Sequence, residues 1–114
     1  MDWKKFMHET EENLALFSKE IPQTAKGFGL MGQTAKSDGA LSEKTKELIA
    51  LGIAVATRCD SCIGFHVRSL VRLGIRREEL CEALEMATYM GGGPSYAFSA
   101  KALKAYDIFI VDSN

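Results

Sequence analysis

Residues 42–66 read SEKTKELIALGIAVATRCDSCIGFH, and this stretch decides the fold. Ser42 is a preferred N-cap residue, and Glu43 follows it where a carboxylate favours the positive end of a helix. From Leu48 to Ala56 the predicted helix is apolar or glycine on every side, which is typical of a buried helix. A chain of 114 residues has few other residues with which to cover such a helix on all sides. We therefore expect contacts between subunits to complete its burial.

Helical periodicity continues on both sides of this stretch, and no segment alternates strictly between apolar and polar residues. Proline at the first helical position and glycine after the last one mark further boundaries. The predicted helices cover about Asp2–Lys19, a helix after Ser42, Asp60–Leu73, Arg77–Met90 and a last helix from Pro94. The segment from Pro22 contains three glycines, which favours either a helix with close backbone contacts or a partly irregular stretch. The sequence thus predicts one all-α domain over residues 1–114, a bundle of about six helices with short connections.

The composition argues against several classes of partner. Fourteen basic and fifteen acidic residues leave a formal charge of −1, and no basic run of five or more occurs, so we expect no binding to nucleic acid. The longest nearly uncharged run, residues 48–57, is half of the ~20 residues that a membrane-spanning helix needs. The residues after Met1 show no signal-peptide pattern. We therefore expect a cytoplasmic protein without membrane contact.

Two cysteines, Cys59 and Cys62, lie three positions apart just after the predicted buried helix. In a reducing compartment this spacing favours redox chemistry or metal binding over a structural disulfide. If the next helix begins near Asp60, Cys59 lies at its N-cap and Cys62 in its first turn. Unpaired N–H groups at that end favour the thiolate, which is the reactive form of cysteine. His66 follows Cys62 by four residues and shares its helical face, within reach of a direct or water-bridged hydrogen bond.

Glu47 is the candidate third member of this site, because it is the last charged residue before the apolar run. Its face of the helix continues through apolar residues, which indicates an inward orientation. In an antiparallel hairpin about Cys59, the helical rise places Glu47 about 7 Å beyond the level of His66. We expect a water molecule and a tilted crossing to bridge that offset, so that Glu47 orients His66 and His66 activates Cys62. A solvated carboxylate near the start of a helix is the alternative interpretation of Glu47.

The span from Leu41 to Leu103 resembles the alkylhydroperoxidase D-like members of the carboxymuconolactone decarboxylase family. The spacing of one glutamate, a CxxC pair and a histidine is the specific part of this resemblance. The matching pieces are LSEKTKELIA at 41–50, CDSC at 59–62 with His66, GGGP at 91–94 and AKAL at 100–103. The resemblance covers over half of the chain.

This resemblance implies an all-α fold assembled as a homo-oligomer, either a trimer or a hexamer. It implies a thiol-dependent peroxidase that reduces a hydroperoxide and is restored by a dithiol protein or a small thiol. By the matching positions, Cys62 is the activated thiol, Cys59 is its disulfide partner, and His66 and Glu47 complete the site. Ser61 stands where well-characterised members have a histidine, which implies a simpler proton relay. The decarboxylase branch lacks the CxxC pair, so both thiols favour the redox branch.

Other interpretations of the same residues stay open. A zinc site would need four ligands, and no second CxxC or HxxxH pattern accompanies the two cysteines and His66, so we predict no metal and no other cofactor. Cys81 is interpreted as a small buried hydrophobic residue. A lyase of the decarboxylase kind would use His66 as a proton donor and leave the thiols idle. A non-enzymatic redox sensor would use the disulfide to change the packing of an oligomer.

Overall fold

Six α-helices make up the fold in a computed structural model that describes residues 1–113. Their bounds agree closely with the boundaries that the sequence predicts, and the described residues contain no β-strand. The helices are α1 (Trp3–Glu20), α2 (Pro22–Lys36), α3 (Glu43–Ala56), α4 (Asp60–Arg72), α5 (Arg77–Gly91) and α6 (Gly93–Asp112). The predicted all-α fold is therefore confirmed.

Side-chain caps start α3 at the predicted Ser42 and α1 at Asp2. The Thr45 backbone N–H donates to Ser42 Oγ at 3.1 Å, which satisfies one of the unpaired donors in the first turn of α3. The Lys5 N–H donates to Asp2 Oδ1 at 3.1 Å in the same way at the start of α1. Such caps contribute about 1 kcal/mol each and fix where the chain enters a helix.

The end of α3 has the hydrogen-bond pattern of a Schellman motif. The Cys59 N–H donates to Ala54 O at 3.0 Å, and the Arg58 N–H donates to Val55 O at 3.1 Å. Arg58 adopts the left-handed backbone conformation that this motif requires, with φ of 56°. Because the motif closes within three residues, α3 and α4 form a tight hairpin whose connection ends at Cys59.

The end of α4 repeats this motif with glycine in the left-handed position. Gly74 has φ of 78°, its N–H donates to Val71 O at 3.1 Å, and the Ile75 N–H donates to Leu70 O at 3.0 Å. Glycine takes this conformation without the steric cost that a side chain incurs. The predicted stop at Gly74 is therefore confirmed, and it sets the short connection to α5.

The core lies among α3, α4, α5 and α6. The α3–α4 and α5–α6 hairpins pack on each other through α3–α5 and α4–α6 contacts, and α1 crosses α4 and α6. Gly64 permits the close approach of α1, because a Cβ at this position would overlap Met7 Sδ. The most deeply buried large apolar side chains are Leu51, Val55, Ile63, Val67, Leu70 and Leu80.

Several apolar side chains lie outside this core. The apolar side chains of α1 are buried at Trp3 and Met7, whereas Leu14 and Phe17, near the other end of the helix, are exposed. The exposed pair lies on the part of α1 that leads into α2, away from the four-helix core. None of the α2 side chains, all of which the structure describes, is buried. Across residues 1–113, no helix is both long and apolar enough to cross a membrane.

Candidate active site

Cys59 is held by the ends of two helices at once. Its backbone N–H closes the Schellman motif of α3, and its side chain is the N-cap of α4, where Sγ accepts the Cys62 N–H at 3.3 Å. The Cα atoms of Cys59 and Cys62 lie 5.3 Å apart, and the two sulfurs are joined as a disulfide. The α3–α4 turn therefore places both cysteines close enough to be joined by a disulfide.

The start of α4 supplies a favourable electrostatic environment for a cysteine thiolate. The backbone N–H groups of the first turn carry partial positive charge, and the Cys62 N–H points at the Cys59 sulfur. Ser61 Oγ lies 3.5 Å from the same sulfur and can donate a further hydrogen bond to it. Both cysteines are partly buried, so a reagent can reach them while much of the surrounding water is excluded.

Glu47 and His66 form a direct hydrogen bond between α3 and α4. His66 Nδ1 and Glu47 Oε2 are 2.6 Å apart, a distance typical of a hydrogen bond assisted by charge. Glu47 is 1% exposed, which excludes the interpretation as a solvated carboxylate. The predicted water bridge across 7 Å is wrong, because that estimate counted the rise of the helix axes and left out the reach of the two side chains.

The hydrogen bond to His66 is the main compensation for burying this carboxylate. Glu47 Oε1 is buried and accepts no hydrogen bond from any described residue. A buried, unpaired carboxylate is costly, so Glu47 favours a His66 ring that presents an N–H at Nδ1. That tautomer leaves Nε2 as the nitrogen that can accept a proton.

His66 and Cys62 are one helical turn apart on α4, as their spacing predicts. Both side chains are partly buried, and the His66 side chain is 27% exposed. Among the described residues, the His66 ring bonds to Glu47 and makes no hydrogen bond with the sulfur of Cys62 in the disulfide form. The four residues Cys59, Cys62, His66 and Glu47 thus share the α3–α4 interface, joined as two bonded pairs.

Lys101 and Asp60 form an ion pair that connects α6 to the first turn of α4. Lys101 Nζ lies 2.8 Å from Asp60 Oδ1, outside the directions of a good hydrogen bond, so the attraction is mainly Coulombic. The same ammonium group lies 4.8 Å from the centre of the Phe98 ring. Lys101 and Asp60 are 41 positions apart, and no local spacing links them, so the sequence alone does not indicate this pair.

The whole of this site falls within a match to a known family. The sequence profile of the carboxymuconolactone decarboxylase family matches residues 22–105. The chain belongs to this family. Its resemblance to the family, which rested on the spacing of Glu47, the cysteines and His66, is confirmed at the level of the family.

Three proteins illustrate how similar this member of the carboxymuconolactone decarboxylase family is to its relatives. A family protein from Legionella pneumophila matches with a TM-score of 0.92 and 49% identity, over 95% of this chain and 96% of that one. A Thermotoga maritima member, described as a candidate for a role in an antioxidative response, matches with a TM-score of 0.79 and 29% identity, over 89% of this chain and 86% of that one. An uncharacterised Haemophilus influenzae protein is 35% identical over 94% of this chain and 95% of its own length.

Metal binding and the third cysteine, Cys81, are the two remaining features that the sequence of this family member raised. In residues 1–113, no group of three or more His, Cys, Asp or Glu side chains is arranged to hold a metal ion. Cys81 is a free cysteine on α5 and is partly buried, so it is less covered than the predicted small buried hydrophobic residue. Its position at the edge of the α5–α6 contact leaves its side chain incompletely covered.

Proposed function

We propose that this protein is a thiol-dependent peroxidase that reduces hydroperoxides through a cycle of the Cys59–Cys62 dithiol and disulfide. The observation that carries the proposal is a disulfide at the N-terminus of a helix, with the Glu47–His66 pair one turn away. A thiolate, a partner thiol and a base are the three groups that such chemistry requires. The antioxidative role suggested for the Thermotoga maritima relative supports the same class of reaction.

In the first step, the Cys62 thiolate attacks the distal oxygen of a hydroperoxide. The O–O bond breaks, the leaving alkoxide takes a proton to become an alcohol, and Cys62 becomes a sulfenic acid. We assign that proton to His66, which takes it from the Cys62 thiol and holds it beside the buried Glu47 carboxylate. The Cys59 thiol then attacks the sulfenic acid sulfur, forming the disulfide and releasing water.

In the second half of the cycle, a dithiol protein or a small thiol supplies two electrons. A thiolate of the reductant attacks Cys62, and Cys59 leaves as a thiolate that the Cys62 N–H and the helix N-terminus stabilise. A second thiol of the reductant then resolves the mixed disulfide, so the reductant is oxidised to a disulfide and both cysteines are reduced. This cycle suits the reducing environment of the cytoplasm, where we place the protein.

The test follows hydroperoxide consumption in the presence of a dithiol such as dithiothreitol. We expect turnover in the wild-type protein and in Cys81→Ser, and loss of turnover in Cys62→Ser. In Cys59→Ser the cycle stops after the first step, so a sulfenic acid accumulates on Cys62 and can be labelled with a dimedone reagent. Unchanged turnover in Cys62→Ser would refute the assignment, and labelling at Cys59 in Cys62→Ser would exchange the two roles.

A lyase of the decarboxylase kind is the second candidate, because the Glu47–His66 pair is complete while both sulfurs are held in the disulfide. In that function His66 would donate a proton to a small lactone acid and the thiols would be idle. The double variant Cys59→Ser/Cys62→Ser separates the two proposals. Lyase turnover that survives in the double variant would favour this second function over the peroxidase.

A further inference from the structure

We infer that Lys101 sets the reduction potential of the Cys59–Cys62 pair by neutralising Asp60. The inference rests on the proposed redox cycle of these cysteines and assigns α6 a part in it. Lys101 touches neither sulfur in the described contacts and acts through Asp60, so it is a positioning residue and not a catalytic one.

Asp60 is the first residue of α4 and lies between the two cysteines in sequence. A carboxylate at this place is favourable for the helix dipole, but it is unfavourable for a thiolate that forms at either neighbour. Its side chain is 29% exposed, so water screens its charge only in part. A positive charge paired with Asp60 offsets this repulsion and adds to the effect of the helix N-terminus.

Lys101 is the side chain that supplies this charge, and α6 holds it in place. Its ammonium lies 2.8 Å from Asp60 Oδ1 and 4.8 Å from the centre of the Phe98 ring, one turn earlier on α6. The ring face attracts a cation and limits its freedom to turn into solvent. The two contacts, one to an anion and one to an aromatic ring, fix the ammonium over the first turn of α4.

The charged groups of α1 and α3 that pair with α4 do so further along the helix than its first turn. Glu47 of α3 pairs with His66, one turn beyond Cys62, and Glu11 of α1 pairs with Arg68, further along the helix. Arg58 in the preceding turn is exposed to solvent. The Lys101–Asp60 pair is therefore the ion pair that acts directly on the turn containing both sulfurs.

Removal of Lys101 leaves the Asp60 charge unbalanced beside the cysteines. The reduced protein, which holds a thiolate, then becomes less stable relative to the disulfide, and the reduction potential becomes more negative. Removal of the Asp60 charge has the opposite effect, because the thiolate is stabilised. We expect one unbalanced charge in the same helical turn to change the equilibrium constant by about three- to tenfold, and tenfold corresponds to about 30 mV for two electrons.

The experiment equilibrates the protein with mixtures of glutathione and glutathione disulfide at pH 7. The disulfide is reduced as two glutathione molecules are oxidised to one glutathione disulfide, and thiol trapping measures the fraction reduced. We expect Lys101→Met to favour the disulfide and Asp60→Asn to favour the dithiol, each by about three- to tenfold. Lys101→Arg should stay near wild type, and Lys104→Met, which removes an exposed lysine one turn further along α6, should have no effect.

The opposite signs separate a charge effect from a structural one. Loss of a structural ion pair would weaken the α4–α6 contact in both variants and would move both equilibria in the same direction. That result, or equal shifts in Lys101→Met and Lys104→Met, would overturn the inference. The measurement uses no peroxide, so the expected shifts without peroxide turnover would refute the peroxidase alone. A pair of cysteines that never exchanges with glutathione would refute both.

Discussion

At the scale of single residues, the Glu47 carboxylate is the group of the site whose burial costs the most free energy. It is 1% exposed, and within the described chain its hydrogen bond to His66 is what offsets the cost of removing the carboxylate from water. Buried ion pairs rarely add net stability, because the loss of hydration offsets the attraction between the partners. The pair is therefore better explained by the orientation that Glu47 gives the His66 ring than by its contribution to folding.

Glu47→Gln tests this explanation, because it keeps the size of the side chain and an oxygen that can accept the Nδ1–H. It removes the negative charge opposite His66 in the proton-transfer step, so we expect peroxide turnover to fall about 100-fold, at the lower end of what a positioned acid–base group contributes. The free energy of unfolding should change by less than about 1.5 kcal/mol, since a neutral side chain is cheaper to bury. Steady-state peroxide consumption and urea denaturation measure the two effects.

Glu43→Gln is the matched control on the same helix. Glu43 lies one turn before Glu47 and pairs with Arg72 at 2.7 Å on the surface, where such pairs contribute little. We expect its turnover to equal that of the wild-type protein. Full turnover in Glu47→Gln, or an equal loss in both variants, would contradict the assigned role of Glu47.

The site residues differ in how far the sequence alone predicts them. Cys59, Cys62 and His66 lie within eight positions, where helix geometry fixes their relation, so a local pattern is enough. Glu47 lies on another helix, and the apolar pattern of α3 predicted its inward face but not the direct bond to His66. Lys101 depends on how α6 packs against α4, which no pattern within either helix encodes.

At the scale of elements, two turns of the same type differ in the residue at the left-handed position. Gly74 ends α4 with φ of 78°, and Arg58 ends α3 with φ of 56°. A side chain in this conformation costs roughly 1–2 kcal/mol, which glycine does not incur. The turn that orients Cys59 therefore carries backbone strain, whereas the turn after α4 is relaxed.

Exchanging these two residue types should change stability in opposite directions. Arg58→Gly should raise the free energy of unfolding by up to about 1 kcal/mol, because relief of strain exceeds the added chain entropy. Gly74→Ala should lower it by about 1 kcal/mol. Urea denaturation at one fixed protein concentration measures both, since association would otherwise shift the midpoints. A loss of stability in Arg58→Gly would show that the arginine side chain stabilises the turn.

The contact between α3 and α5 predicts a dependence on pH. The Arg76 backbone N–H donates to Glu79 Oε1 at 3.0 Å, and Lys44 Nζ donates to the same oxygen at 3.1 Å. Both bonds hold the pKa of the Glu79 carboxyl below its ordinary value, and the backbone bond has the larger effect. A lowered pKa in the folded state stabilises the fold above the ordinary carboxyl pKa. That stabilisation is lost as the pH falls through the lowered value.

We therefore expect Glu79→Gln to melt at a lower temperature than wild type at pH 7 and to differ less from it at pH 3. Thermal unfolding followed by circular dichroism across this range measures the effect. Glu82→Gln, on an exposed part of the same helix, should follow the wild-type curve throughout. If the difference between Glu79→Gln and wild type stayed constant with pH, the carboxylate would not be the source of the stabilisation.

Helix boundaries were predictable wherever a single residue type determines them. Pro22 lacks an N–H, Ser42 supplies a capping hydroxyl, and Gly74 adopts positive φ without steric cost, and each of these is a local property of one residue. The burial of α1 was less predictable, since Leu14 continues the apolar spacing of Met7 yet is exposed. Periodicity shows which residues share a face, but the length of the neighbouring helices decides how much of that face is covered.

At the scale of the whole molecule, the apolar surface exceeds what one chain covers. A groove of about 500 Å³ runs between α3 and α5, and its lining includes the exposed side chains Ile53, Met86 and Met90. On α2, Phe28 is 71% exposed. A helix of this length with three glycines is unstable in water by itself, so α2 needs contacts beyond those that this chain provides. Exposed apolar patches of this kind mark contact sites, and we propose that a second copy of the chain covers them.

The proposal of self-association predicts the effect of a charge placed in the groove. Ile53→Asp should convert the protein from an oligomer to a monomer, because an aspartate buried at an interface without a partner is costly. It should also lower the melting temperature, since subunit contacts stabilise the folded state. Val111→Asp is the control, because Val111 is an exposed apolar residue on α6 outside the groove. Light scattering coupled to size-exclusion chromatography measures the mass of each variant, and a wild-type protein that is monomeric at micromolar concentration would refute the proposal.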